Sequence, residues 1–213
     1  MTVIPINIVS DAVCPWCYVG YAALQRAMST IATRHPGTTF DIKWHAFELN
    51  RWPADKPVMS KAQAYKEKFG DGPRLKMMQD YLKQRGAQVG VKMGDSADAV
   101  IGSTRYAHEA EVYATQKGKQ TEFMLALFDE YFTKNKNIFE IEKLVELAGK
   151  VDGLDPSELR DFLAKRQGAG RVEAEIQKNQ FIGGVPHYTI GDGIVLHGSQ
   201  DPEAFVSALE ECV

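Results

Sequence analysis

Cysteine is scarce in this chain: three in 213 residues, at positions 14, 17 and 212. That count excludes a small disulfide-stapled scaffold. It also argues against zinc, since only Cys212 and scattered histidines remain to complete a four-ligand site begun by Cys14 and Cys17. Charge of one sign is missing as well. Lys and Arg number 25 against 28 Asp and Glu, a formal net charge of −3, so there is no basic field to attract nucleic acid or an anionic membrane. No apolar run approaches the ~20 residues that a membrane-crossing helix needs, and there is no internal repeat, low-complexity segment or charge block. The opening Met1-Thr2-Val3-Ile4-Pro5-Ile6-Asn7 has no basic n-region, long apolar h-region or small-residue cleavage site. The expectation is a cytoplasmic protein with neither nucleic acid nor membrane as partner, in a reducing compartment where paired thiols are more often catalytic than structural.

Against that background Ser10-Asp11-Ala12-Val13-Cys14-Pro15-Trp16-Cys17-Tyr18-Val19-Gly20 stands out. Upstream, Val3, Ile4, Ile6, Ile8 and Val9 read as a short buried strand; downstream, Tyr18, Tyr21, Leu24, Ala27, Met28 and Ile31 recur at helical spacing. Cys14 therefore falls at a helix start, where unsatisfied N–H groups favour a negative sulfur, and only the thiolate attacks disulfides. Pro15 suits the first helical turn, where a missing N–H costs nothing. Cys17 follows within the first turn. The pattern is that of a redox dithiol, with Cys14 as nucleophile and Cys17 resolving.

After the first helix, His35-Pro36-Gly37 breaks the pattern, and Phe40 through Phe47 alternates as a half-buried strand does. A loop with Pro53 and Pro57 follows. From about Ser60 the periodicity is helical: Tyr65 and Phe69 mark one helix, and Leu75, Met78 and Leu82 another that ends at Gly86. Val89, Val91 and Met93 suggest a short extended segment. Ser103 or Thr104 could cap a helix carrying Tyr106, His108 and Tyr113, and dense stripes follow at Phe123–Phe132 and Ile138–Ala148, all explicable as core. Asp155-Pro156-Ser157-Glu158 combines an N-cap, a first-turn proline and a capping-box Glu. Val185–Ile190 and Ile194–His197, separated by Gly191-Asp192-Gly193, predict a β-hairpin, and Asp201-Pro202-Glu203 opens a closing helix. The expected domains are 1–59 plus 180–213, discontinuous, and a helical insertion over 60–179.

A β-α-β … β-β-α frame with CxxC at the first helix start resembles the thioredoxin fold, an α/β architecture, and the large all-helical insertion resembles its DsbA-like branch. Cys14-Pro15-Trp16-Cys17-Tyr18, Trp44-His45-Ala46-Phe47-Glu48-Leu49-Asn50, Ala107-His108-Glu109-Ala110, Gly184-Val185-Pro186 and Gly198-Ser199-Gln200 look like the FrnE-type oxidoreductases of that family, in the same order. Ser103-Thr104 departs from the Asn-Thr often found in relatives, and His187 stands where an apolar aromatic is commoner. The resemblance implies a cis Pro186 facing Cys14, with the Val185 backbone open to an extended, cysteine-containing substrate. It further implies thiol–disulfide exchange on cysteine-containing proteins or small thiols, by a monomer or homodimer. No cofactor is implied beyond a redox-active Cys14–Cys17 disulfide, with glutathione as a candidate substrate.

Trp16 shapes the substrate surface, Pro15 and His187 shape the active site, and Asn50 adds a polar contact. Because Trp16 supplies bulk and an N–H where some relatives carry histidine, a couple less oxidising than DsbA is expected. His45, His108 and His197 read as structural histidines, and Cys212 as a free surface thiol. The alternative comes from kappa-class glutathione transferases and hydroxychromene-carboxylate isomerases, which resemble the same architecture. In that reading Ser199 and Gln200, before a helix N-terminus, hold a γ-glutamyl carboxylate.

Overall fold

The computed structural model describes residues 2–213, so Met1, with which the 1–59 range begins, lies outside the described residues. Strand β1 (Val3–Ser10) buries Ile4, Ile6 and Ile8 at alternate positions. It pairs in parallel with β2 (Thr39–Ala46) after helix α1 (Pro15–Arg34), in a register that sets Ile8 opposite Trp44. Strands β5 (His187–Ile190) and β6 (Ile194–His197) form the hairpin, and β5 runs antiparallel to β1, giving the sheet order β2-β1-β5-β6. Pro5 is tolerated in the central strand because β5 pairing begins only at Ile6. The closing helix α9 (Pro202–Glu210) packs on α1.

Between β2 and β5 lie α2 (Lys61–Phe69), α3 (Pro73–Val89), α4 (Arg105–Gln116), α5 (Gln120–Phe128), α6 (Ile141–Ala148), α7 (Pro156–Ala164) and α8 (Ala169–Asn179). A π-helical turn, Asp129–Thr133, continues α5. One small ladder interrupts the helices: β3 (Met59–Ser60) pairs antiparallel with β4 (Val100–Ile101). Two residues per strand leave no periodicity to read.

The insertion docks on the free edge of β2. Gln120 Nε2 donates to the Trp44 carbonyl at 2.9 Å, the Ala46 N–H reaches Glu175 Oε2 at 2.9 Å, and Asn179 Nδ2 donates to the Ala46 carbonyl at 3.0 Å. Side chains thus satisfy an edge that would otherwise invite another strand. Trp44, 1% exposed, joins the layers: its ring packs on Tyr21 of α1 at 4.8 Å and on Phe128 of α5 at 5.9 Å.

Helix α3 does not end at Gly86, and no extended segment spans Val89 to Met93. Gly86 is an interior position where the chain doubles back: the Val91 N–H donates to the Gly86 carbonyl at 2.8 Å, and a Cβ there would sit 3.0 Å from the Val91 carbonyl oxygen. Gly90, with φ 87°, makes the left-handed turn that ends the helix. At α7 the Asp155 carboxylate caps the Ser157 and Glu158 N–H groups, but Glu158 does not return a bond. The Asp155 N–H goes instead to the Tyr113 hydroxyl at 3.2 Å. Cys212 is half-buried, not on the open surface, and its thiol donates to the Ala208 carbonyl at 3.4 Å.

Candidate active site

The chain leaves β1 at Ser10 and turns over Asp11–Cys14, closed by a Cys14 N–H bond to the Asp11 carbonyl at 2.9 Å. Cys14 is the N-cap of α1 and Pro15 its first residue. The Cys17 N–H bonds back to the Cys14 carbonyl at 3.0 Å, so both sulfurs lie within one helical turn, as free thiols. Cys17 is 1% exposed; burial pushes its thiol well above the ordinary cysteine range, and the neighbouring Cys14 sulfur adds to the effect.

The Cys14 thiol donates to the Val185 carbonyl at 3.5 Å, and the Val185–Pro186 peptide bond is cis. Pro186 is braced by α1 and by the hairpin: its carbonyl accepts the Gly198 N–H at 2.8 Å, and a Cβ at Gly20 would lie 3.4 Å from its ring. Gly20 is required here, because the Tyr188 hydroxyl occupies the place of a side chain.

Cys14 opens into a cavity of about 640 Å³, walled on one side by Trp16, Leu49, Asn50 and Val185 and on the other by residues of α2 and α3. Although Ala64, Tyr65 and Val89 touch the core, no apolar side chain of these two helices is fully buried in it. Helix α2 buries no residue and α3 only Gly86, so Tyr65, Phe69, Leu75, Met78, Tyr81 and Leu82 line the cavity instead. Tyr81 meets Trp16 ring to ring at 5.8 Å. Polar groups are few: Lys68 Nζ donates to Asn50 Oδ1 at 3.4 Å, and Lys56 Nζ stands 3.8 Å over the Trp52 ring. Next door, Lys61 lies 4.5 Å over Tyr131, and burial brings its amine down to about 8.

Behind the dithiol is a buried ionic layer. The Asp11 carboxylate, fully buried, accepts the Leu49 N–H at 2.8 Å and stands 3.6 Å from His108 Nε2. His108 also bonds the Phe47 carbonyl at 3.0 Å through Nε2 and Glu111 at 3.2 Å through Nδ1. Burial alone would lower its pKa, but the Asp11 and Glu111 carboxylates outweigh that and raise it to about 10, making it an imidazolium. Glu48, with no exposed side-chain surface, is held by Arg105 at 3.1 and 3.0 Å, and Arg105 reaches on to Glu173 at 3.0 Å. These pairs fasten both loops beside Cys14 to α4.

Cys14, Pro15, Trp16, Asn50 and Val185 thus meet at one cavity, with Pro186 beside it. Ser199, Gln200 and His187 do not line it. Gln200 donates to the His197 carbonyl at 2.5 Å, and His187 and His197 face each other across the hairpin with Nδ1 atoms 3.1 Å apart. Ser199 lies behind Gly20, its hydroxyl buried. Sequence reasoning missed the α2–α3 wall and the charge on His108. The Ala107-His108-Glu109-Ala110 motif marked the latter, but its partners come from other elements. Among the described residues, no group of three or more His, Cys, Asp or Glu is arranged to hold a metal ion. No helix among them is long and apolar enough to cross a membrane.

Comparison with known proteins gives the same outline. The chain is 27% identical over 210 residues to the Bacillus subtilis (strain 168) protein YwbO, covering 97% of this chain and 96% of that one. A probable DsbA oxidoreductase from Streptomyces coelicolor superposes with a TM-score of 0.86 at 27% identity, covering 98% of this chain and 89% of that one. The cytosolic disulfide reductase DsbM from Pseudomonas aeruginosa, solved with GSH, shares the fold at a TM-score of 0.64 and 17% identity, over 97% and 98% of the two chains. The DSBA-like thioredoxin domain matches residues 5–210, and with the helix-capping Cys14, the Val185–Pro186 segment beside it and the helical insertion all inside that span, the chain belongs to this family.

Proposed function

We propose that this protein is a thiol–disulfide oxidoreductase whose reactive pair is Cys14 and Cys17. The observation that carries the reading is the Cys14 sulfur itself: it caps a helix, lies 3.5 Å from the Val185 carbonyl and opens into an apolar cavity. In the direction that reduces a substrate disulfide, the Cys14 thiolate attacks one sulfur and expels the other as a thiolate, leaving a mixed disulfide at Cys14. Cys17 then attacks the Cys14 sulfur, closes the Cys14–Cys17 disulfide and releases the second substrate thiol. Run backwards, the same steps oxidise a dithiol. Trp16, Val185 and Pro186 position the substrate chain, Asn50 offers it a polar contact, and no other cofactor takes part. Cysteine-containing proteins or small thiols, glutathione among them, are the substrates, and the cytoplasm is the proposed location.

A Cys17→Ala variant tests this. It should accumulate mixed disulfides through Cys14, and mass analysis identifies the captured thiols; failure to accumulate any refutes the reading. A second reading, a glutathione transferase or isomerase of the kappa-class type, draws on the Asn50 amide and the Lys56 and Lys68 amines at the cavity. It has no use for Cys17, so full turnover by Cys17→Ala in a glutathione-conjugation assay would favour it. Against it, Ser199 and Gln200, the expected γ-glutamyl contacts, stand away from the cavity lining.

A further inference from the structure

One cation beside the dithiol has no anion. Lys61 opens α2, and its Nζ stands 4.5 Å from the centre of the Tyr131 ring and 5.2 Å from that of Phe132. Both rings come from the π-helical turn that continues α5, a distortion frequent at functional sites. Aromatic faces attract a cation but leave its charge unneutralised. Other amines nearby are engaged: Lys83 Nζ pairs with Asp95 at 2.8 Å, and Lys68 Nζ donates to the Asn50 amide oxygen at 3.4 Å. Among the described residues no carboxylate pairs with Lys61, whose amine is shifted by burial alone, down to about 8; near neutral pH it still holds its proton.

Lys61 lines a second cavity, of about 320 Å³, closed on one side by Met93, Gly94 and Asp95. Gly94 lets that segment approach: its N–H donates to the Phe132 carbonyl at 2.7 Å, and a side chain there would collide with the Thr133 carbonyl. Pro15, Tyr65, Gln79 and Leu82 line both this cavity and the one into which Cys14 opens. The two cavities therefore adjoin at the residue that follows Cys14, so a substrate chain at the dithiol lies beside an unpaired positive charge.

We propose that Lys61 is a specificity-determining residue of the exchange reaction, its ammonium pairing with the carboxylate of an Asp or Glu close in sequence to the reacting cysteine of a polypeptide substrate. The inference rests on the exchange reading above. The substrate's carboxylate supplies the one partner that the fold leaves out, and a charge-assisted hydrogen bond at a half-buried site is stronger than one in open water. An extended chain advances about 3.3–3.6 Å per residue, so an acid within about three residues of the cysteine spans neighbouring cavities.

The test uses the reduced full chain in a Cys212→Ser background, where Cys14 and Cys17 are the only thiols. Its substrates are symmetrical disulfides of single-cysteine peptides with one Glu, or one Gln, at each position within about three residues of the cysteine. Alkylation and mass analysis read the rate at which the Cys14–Cys17 pair closes. At one or more positions the Glu peptide should react at least about tenfold faster than its Gln counterpart, the usual scale of one hydrogen bond between charged groups. In Lys61→Met and in Lys61→Gln that ratio should fall to within about twofold of unity, each variant's own Gln peptides reporting that its dithiol still reacts. A parent that takes Glu and Gln alike at every position, or a preference for Glu kept in either variant, overturns the role of Lys61. A parent whose cysteine pair stays open with every peptide fails the exchange reading itself, so the two failures are distinguishable.

Discussion

His108 Nε2 stands 3.6 Å from the Asp11 carboxylate, and neither side chain reaches solvent. With Glu111 on its other nitrogen, His108 is a cation between two anions, directly behind the turn that presents Cys14. The consequence is a contribution to stability that is lost towards alkaline pH. A base whose pKa is higher folded than unfolded contributes fully below its unfolded value of 6.5 and gives that contribution up as the pH climbs towards about 10. Urea midpoints of the parent should therefore fall between pH 7 and pH 10. His108→Gln should start lower and lack this component of the fall; equal slopes in the two proteins would mean that His108 is not charged.

How much of this could be read from residues alone differs from element to element. Cys14 at a helix start was legible because strand and helix periodicities meet there and Pro15 marks the junction. The hairpin at Gly191-Asp192-Gly193 and the Asp155 cap were legible for the same reason: short-range patterns with one dominant cause. The charge of His108 was not, because Asp11, Phe47 and Glu111 come together only in three dimensions. The wall of the cavity is hidden for a subtler reason. Tyr65 with Phe69, and Leu75 with Met78 and Leu82, recur at helical spacing just as core residues do, and periodicity records that a face is apolar without saying whether protein or an open cavity lies against it. Gly86 reads as a helix end because a glycine near the end of a pattern has that meaning by default; here it makes room for Val91.

Gly20 is the contact point between α1 and the Pro186 segment. A helix-interior Gly→Ala change ordinarily stabilises by up to about 1 kcal/mol. At this position the added methyl would meet the Tyr188 hydroxyl and come within 3.3 Å of Ser199 Cα and 3.4 Å of the Pro186 ring. Gly20→Ala should instead destabilise by about 1–3 kcal/mol, the usual cost of overpacking. It should also slow mixed-disulfide formation at Cys14 by shifting Pro186 against it. Denaturant melts and the rate of mixed-disulfide formation at Cys14, followed in a Cys212→Ser background, measure the two effects. A more stable variant with parent kinetics would show that the Pro186 segment yields freely.

The apolar cavity predicts substrate choice. Tyr81 is 55% exposed and meets the Trp16 ring beside Cys14, so its surface is available to an apolar group flanking the reacting sulfur. Tyr81→Ser should lower kcat/KM about tenfold for a peptide disulfide with aromatic or aliphatic neighbours, the scale of one lost aromatic contact. Exchange with hydroxyethyl disulfide, too small to reach α3, should be unchanged. Equal losses on both substrates would place the effect in the dithiol and not in the cavity.

Trp16 lies between the two cysteines, and what stabilises the thiolate of the reduced form makes the couple more oxidising. The indole offers one neutral N–H and is occupied with Tyr81. An imidazole at this position would add a titratable donor next to the Cys14 sulfur, favouring the dithiol over the disulfide. Trp16→His should therefore shift the equilibrium with glutathione towards the reduced protein by about tenfold, equivalent to a potential less negative by about 30 mV. The shift should shrink above pH 8, where the imidazole is neutral. A potential that moves the other way, or one indifferent to pH, would mean that the poise of this dithiol is set by the buried layer around Asp11 and not by the residues between the cysteines.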